Sequence, residues 1–474
     1  MTLGNSTFSI RLFSWLLFLI SLGLFLFLDD SYDAQRITIS TVFAAVLIVF
    51  HSFATRSMGS SRDWFQADIL FLCMYFFVHF WLWIGVVLEW TSLSILPDRY
   101  IGRINYAVGL SLLGMAAFVL GCNLAPRVRV GSNLGRFSLA QWTAAGYWLF
   151  YTGVILTLAY ALYFGREAFS GSYAGSSVGS LASKSVYLLQ GVFLKLGILV
   201  LLVAKSNRSH IIPKCRLALF VLSGVLTMFL VLGDRSEFIY TLGVAAFAYT
   251  RFYRPVSLSI LVAGILTISL LMSAVLVARR DQDRSLSNIA EAVQQSDDEV
   301  SVSAGLDNVA SSGGVMLASV VAVPMDHDYF YGELKRLELA GILPFARRVF
   351  YTDQWSDLYY NSSTFLTWYI LGPHATSGTG TTIVADLYVD FGSVGVVFGL
   401  GFLGWLANWL RFKMGSTPNL MNCVLFCSFA GLLILLPRYS FLQIIRGLLW
   451  PMVAIWVIGK LRIRRASVVG DSQC

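Results

Sequence analysis

The sequence predicts an all-α polytopic integral membrane protein, with about twelve transmembrane helices and one long loop on the outer face. Three observations carry this. Of 474 residues, 57% are hydrophobic and only 13% charged, against about a quarter charged in soluble domains. The mean hydropathy is +0.71. The apolar residues come in long runs rather than in alternation, which selects helices crossing roughly 30 Å of hydrocarbon over a β-barrel. A soluble globular enzyme, a disordered chain and a collagen-like fibre are excluded by the same numbers.

In chain order, the expected spans are 10–28, 37–54, 67–90, 104–125, 142–164, 186–204, 217–232, 236–250, 256–278, 390–410, 419–436 and 443–459. The first has no small-residue cleavage site after it, because Asp29 and Asp30 follow directly, so it is expected to stay as an anchor. With both termini in the cytoplasm, the inside segments hold 18 Lys and Arg and the short outside loops 7. Every inside loop is then basic, so the even span count and the orientation agree. The net charge of +8 is therefore a topological bias and not a nucleic-acid footprint. Six cysteines fall in spans or on the inside, with no metal-type spacing and no disulfide expected.

Residues 1–278 thus hold spans one to nine, 279–385 the long outside loop, and 386–474 spans ten to twelve with a cytoplasmic tail. Together they form one membrane domain. Between 281 and 385 there are 13 acids against 5 Lys and Arg. Residues 281–312 are polar and Gly/Ser-rich. Residues 329–343, YFYGELKRLELAGIL, place apolar side chains at helical spacing beside Lys335, Arg336 and Glu338. This predicts an amphipathic helix on the membrane surface or over a cavity. Arg347 and Arg348 follow, then an aromatic run containing Trp355 and Tyr359. These two are four residues apart, suited to sharing one helix face and stacking on sugars; the Arg pair joins them as candidate sugar contacts.

Charges at membrane depth are functional candidates by default. In LGDRSE, 232–237, the flanking apolar stretches have 16 and 13 residues, and the shorter gives about 20 Å of helix. The turn should therefore be sunk below the outer surface, placing Asp234, Arg235 and Glu237 in an outward-facing cavity. The turn PRYSFLQIIR, 437–446, looks sunken for the same reason and brings Arg438 and Arg446 to the same side. Lys195 lies too deep in span six to snorkel, so it must pair with an acid such as Glu89 or one from the sunken turn, or line a polar cavity. Arg279 and Arg280 end span nine at the outer interface. His374 is one of two outside histidines, the other being His327. Asp386 and Asp390 flank Tyr388 at the mouth of span ten, where an acid suits a general base or a polar helix start.

Guanidinium forks converging on an outward cavity suit phosphate. No P-loop or metal triad accompanies them. A lipid-borne pyrophosphate presented outside fits this arrangement better than ATP.

The chain resembles the Wzy-type O-antigen (oligosaccharide repeat-unit) polymerases. Three motifs carry the resemblance: GDRSE (233–237), TGTTIVADLYVDFGSVGVV (379–397) and PRYS (437–440) before the last span. The resemblance implies a metal-independent, cofactor-free membrane glycosyltransferase of the all-helical, GT-C-like class in the bacterial inner membrane. It would transfer a growing glycan from undecaprenyl pyrophosphate to the non-reducing end of another lipid-linked repeat unit, on the periplasmic face. Its partners would be donor and acceptor lipid-linked oligosaccharides, membrane lipid and a chain-length regulator protein. Arg235 and Arg438, then Arg279, Arg280 and Arg446, with Lys195, are expected at the pyrophosphate. Asp386 or Glu237, ahead of His374, is expected to take the acceptor proton. The alternatives are an O-antigen ligase of the same class and a lipid-linked oligosaccharide flippase or transporter; no internal repeat supports the latter.

Overall fold

The computed structural model describes residues 3–27, 31–57, 65–91, 98–126, 142–164, 181–205, 215–232, 234–257, 259–268, 312–342, 360–375, 378–417 and 419–471. Every regular element among them is helical. In order they are α1 (Leu3–Leu26), α2 (Ala34–Ser57), α3 (Ala67–His79), α4 (Trp81–Val87), the single turn α5 (Asp98–Ile101), α6 (Ile104–Leu124), α7 (Thr143–Phe164), α8 (Leu181–Ala204), α9 (Arg216–Leu232) and α10 (Arg235–Phe252). Then come α11 (Ser259–Ile268), α12 (Ser312–Val321), α13 (Glu333–Ile342), α14 (Ser362–Leu371), α15 (Ile383–Ser416), α16 (Leu420–Leu433) and α17 (Gln443–Asp471).

Among the described residues six helices are long and apolar enough to cross a membrane, or seven if α3 and α4, bent by 43°, make one broken span. The other predicted spans fall on α8, α9, α11 and α16, whose described apolar stretches have 10 to 17 residues, and on α10, whose first turn is charged; residues 269–278 of the ninth lie outside the described residues.

α6 stands at the centre, almost wholly buried, with α1, α2, α3 and α15 against it. Glycine sets the α6–α15 distance. A Cβ at Gly121 would lie 2.0 Å from Gly401 O, and one at Gly404 would lie 2.1 Å from Phe118 O. Without an apolar-solvent driving force, such close backbone approach supplies the packing between membrane helices. α8 packs on α7 and α10, and α16 on α10 and α17.

Polar contacts sort the two ends of the bundle. Arg11 Nε donates to Asn123 O at 3.3 Å, and His51 and Arg411 both reach Asp68, at 2.8 and 3.3 Å. Arg99 meets Asp326 at 3.4 Å, and the Asp33 amide meets Asn105 at 3.4 Å. Residues expected inside pair with one another, and residues expected outside do likewise.

The long loop holds more buried helix than hydropathy indicates. α12 is apolar and packs on α3, α4, α6 and α15. Its ten residues give only about 15 Å, too short to register as a span. The amphipathic helix expected at 329–343 begins at Glu333, because residues 329–331 do a different job. α15 is broken at Gly392, with φ 64° and ψ −158°. The carbonyls of Val389 and Asp390, just before the break, accept instead from Phe330 N–H at 3.1 Å and Tyr331 N–H at 2.9 Å. The loop turn at 330–332, with Tyr331 at φ 48° and Gly332 at φ 91°, thus replaces the missing turn of helix.

Candidate functional site

Residue Thr382 opens α15 as its N-cap, its hydroxyl accepting from Ala385 N–H at 3.1 Å. Asp386 and Asp390 follow one turn apart on a single face, both fully buried. Two carboxylates there need partners, and α13 supplies them. Lys335 Nζ donates to Asp386 Oδ1 at 2.8 Å, to the Asp386 carbonyl at 2.8 Å and to Asp390 Oδ2 at 2.7 Å. All three ammonium protons are thereby used. Burial pushes Lys335 toward neutrality, but Asp386 and Asp390 outweigh this and raise its pKa. Asp390 Oδ1 accepts from Gly332 and Leu334 N–H, at 3.1 and 3.3 Å, at the start of α13.

Asp386 also reaches two further elements. Ser362, opening α14, donates to Oδ1, and Phe441 N–H donates to Oδ2 at 2.7 Å. Next to Phe441, Ser440 donates to Glu338 of α13. Glu338 Oε2 is buried, with no hydrogen-bond partner among the described residues. Burial first, and the Asp386 carboxylate second, push the Glu338 carboxyl up to about 7. The turn that carries Arg438 is thus clamped by α15 through one residue and by α13 through another.

A second cluster lies between α8, α10 and α17. Asp234 caps α10, accepting from Glu237 N–H at 3.1 Å and Ser236 Oγ at 2.8 Å, and also from Tyr187 OH. Glu237 pairs with Lys195, whose ammonium stands 4.4 Å from the Tyr240 ring centre. Gly191 leaves room for the pair: a Cβ there would lie 3.0 Å from Lys195 Nζ and 3.2 Å from Glu237 Oε2. Arg446 of α17 is close enough to act electrostatically on both Lys195 and Tyr240. No carboxylate of the described residues pairs with it. The segment from Arg438 to Arg446 therefore joins the two clusters, one at each of its ends.

Of the residues expected at the site, Asp386 is in the first cluster and Lys195, Glu237 and Arg446 are in the second. Arg235 begins α10 and Arg438 ends a 3₁₀ turn, both half-buried. His374 is exposed on the connection between α14 and α15. Arg279, Arg280, Arg347, Arg348, Trp355 and Tyr359 lie outside the described residues. Sequence reasoning did not single out Lys335, Glu338, Ser362 and Ser440 for the site. Lys335 and Glu338 are spaced i, i+3 among leucines, which looks like the solvated face of an amphipathic helix. The readable signal was the other half: two acids one turn apart in an apolar stretch, with no cation nearby in sequence. Among the described residues no group of three His, Cys, Asp or Glu is placed to hold a metal ion.

The family model described as O-antigen polysaccharide polymerase Wzy matches residues 3–465, nearly the whole chain. No curated protein and no solved structure matches. The match spans both clusters, the broken α15 and the turn between α16 and α17. The chain belongs to the Wzy family of O-antigen polysaccharide polymerases, bacterial membrane proteins of the glycosyltransferase type that act on lipid-linked oligosaccharide repeat units.

Proposed function

We propose that this polymerase transfers a growing glycan from undecaprenyl pyrophosphate to the non-reducing end of a second lipid-linked repeat unit, on the periplasmic face of the inner membrane. The observation that carries the reading is the 438–446 segment. Next to Arg438 it bonds Glu338 and Asp386 through Ser440 and Phe441, and it brings Arg446 within electrostatic range of Lys195. Cations positioned by buried carboxylates suit a pyrophosphate, whose charge grows as the glycosidic bond breaks. A pyrophosphate leaves without a metal ion when arginines supply that stabilisation.

In this reading Arg235, Arg438, Arg446 and Lys195 face the pyrophosphate, with Arg279 and Arg280 approaching from the end of span nine. Glu237 takes the proton of the acceptor hydroxyl. Its Oε1 accepts no hydrogen bond from the described residues, while Oε2 stays with Lys195. Asp386 has both oxygens engaged and acts by positioning. His374, on the rim, contributes no essential proton transfer. Arg347, Arg348, Trp355 and Tyr359 contact sugars from the loop 279–385, and a chain-length regulator meets the protein in the membrane. About twelve crossings in one membrane domain, with both termini cytoplasmic, give the GT-C-like arrangement.

The test is a surface-polysaccharide gel from a deletion strain. Loss of the ladder with one repeat unit retained, restored by the intact protein, supports polymerisation. Loss of every attached unit points to a ligase or flippase instead.

A further inference from the structure

The outer end of the described bundle carries a second constellation that the transfer chemistry does not use. Phe365, fully buried in α14, forms a floor with Phe330 at a ring distance of 4.8 Å. His327, in the connection after α12, stands over it, 5.5 Å from Phe365, 5.6 Å from Trp368 and 6.4 Å from Tyr369. Neither nitrogen of this half-buried imidazole makes a hydrogen bond with the described residues. Next to it Asp326 accepts from Tyr369 OH and from Arg99 Nη1 at 3.4 Å. Trp368 and Tyr369 are partly exposed.

Three kinds of group thus meet at one place. There is an aromatic surface, a carboxylate held by a guanidinium and a phenol, and an imidazole with both nitrogens open. A membrane lipid has no use for the polar rim, and a peptide would want unpaired backbone groups. A sugar uses all three: its C–H face stacks on a ring, and its vicinal hydroxyls bond to planar polar groups. The constellation is tied to the first cluster, which clamps the Arg438 turn. Ser362 of α14 touches Asp386, and Trp368 and Tyr369 lie six and seven residues further along the same helix, or about 10 Å at 1.5 Å per residue.

We propose that Arg99, Asp326, His327, Trp368 and Tyr369 form a carbohydrate subsite that holds the repeat-unit glycan beyond the reacting sugar. This rests on the polymerase reading for the identity of the glycan. The constellation does not take part in bond making. It fixes the register of the chain about 10 Å from Asp386, so its loss weakens glycan binding without slowing the transfer of bound substrate.

The experiment uses the full-length protein in nanodiscs and the repeat-unit oligosaccharide released from its lipid. Binding is followed by calorimetry, and KM and kcat are measured with the lipid-linked unit. Trp368→Ala and Asp326→Asn should each weaken binding and raise KM about tenfold, the loss of roughly one good contact, with kcat near that of the parent. Trp368→Phe, which keeps a ring on Phe365, should stay within about threefold of the parent. If Trp368→Ala does not fold, Asp326→Asn and Trp368→Phe decide the matter through the same KM and kcat split. Unchanged binding and KM in correctly folded variants would overturn the subsite. Glycan binding that depends on Trp368, in a protein that makes no polymer, would sustain the subsite and reject the polymerase reading.

Discussion

Replacing Lys335 by methionine should disrupt the loop-to-bundle clamp more than any single hydrogen bond could. Methionine keeps the length and apolar stem of the side chain but removes three charge-assisted hydrogen bonds, to Asp386 Oδ1, Asp386 O and Asp390 Oδ2. Both acids are fully buried, so they would face each other without a cation. Removing one partner of a buried ion pair costs about 3–5 kcal/mol, mostly the penalty of the stranded charge. One of the two carboxyls would have to take a proton. Two measurements check this. Thermal unfolding of the purified protein, followed by fluorescence-detected size exclusion, should show a Tm several degrees below the parent. Limited proteolysis should show earlier cleavage around α13, since α13 is what Lys335 holds. Adding Asp390→Asn to Lys335→Met should recover part of the loss, because one stranded charge is gone while the amide still accepts from Gly332 and Leu334. A Lys335→Met protein with parental Tm and parental protease resistance would refute the reasoning, as would a double variant less stable than the single one.

Three other outcomes follow from the same geometry. Glu338 has a folded-state pKa of about 7 against an ordinary 4.5, so its contribution to stability is fully present below about 4.5 and is lost as pH rises through about 7. The clamp should loosen as pH rises from about 4.5 to about 7 by the proteolysis assay, and Glu338→Gln should flatten that dependence. Gly392→Ala places a Cβ 3.2 Å from the Tyr329 ring at a positive φ of 64° and should cost about 1–2 kcal/mol, read as a lower Tm; equal stability would mean the break is not required. Arg235→Ala should insert at normal levels yet leave single repeat units in the surface-polysaccharide gel, and Arg235→Lys should rescue poorly because an ammonium cannot make a bidentate contact.

The all-helical, polytopic class was legible because long unbroken apolar runs suit helices in a bilayer; six of the expected spans, or seven with the bent pair, appear as helices long and apolar enough to cross among the described residues. Lys195 shows the same logic working at a single residue. A lysine in the middle of an apolar stretch is expected to pair with an acid or line a polar cavity, and the structure pairs it with Glu237. Lys335 shows where the logic stops. Its partners are 51 and 55 residues away, and nothing in the local spacing distinguishes an inward lysine from a solvated one. α12 escaped for a different reason, since ten apolar residues mean little until the helices that cover them are known. The break in α15 is not read from the sequence. Phe391 and Gly392 read there only as part of a longer motif, and the loop turn that caps the freed carbonyls comes from residues 330 and 331, far away in sequence.

The most direct test of the central claim is a reconstituted transfer reaction with purified protein and lipid-linked repeat unit, in excess EDTA. Free undecaprenyl pyrophosphate and glycosidic bonds formed should be counted together. The expected result is a ladder of lengthening glycan with one undecaprenyl pyrophosphate released per bond, undiminished by the chelator and abolished by Arg438→Ala. Chains that lengthen only when a divalent metal is restored, or repeat units that change sides of the membrane without any bond forming, would contradict it.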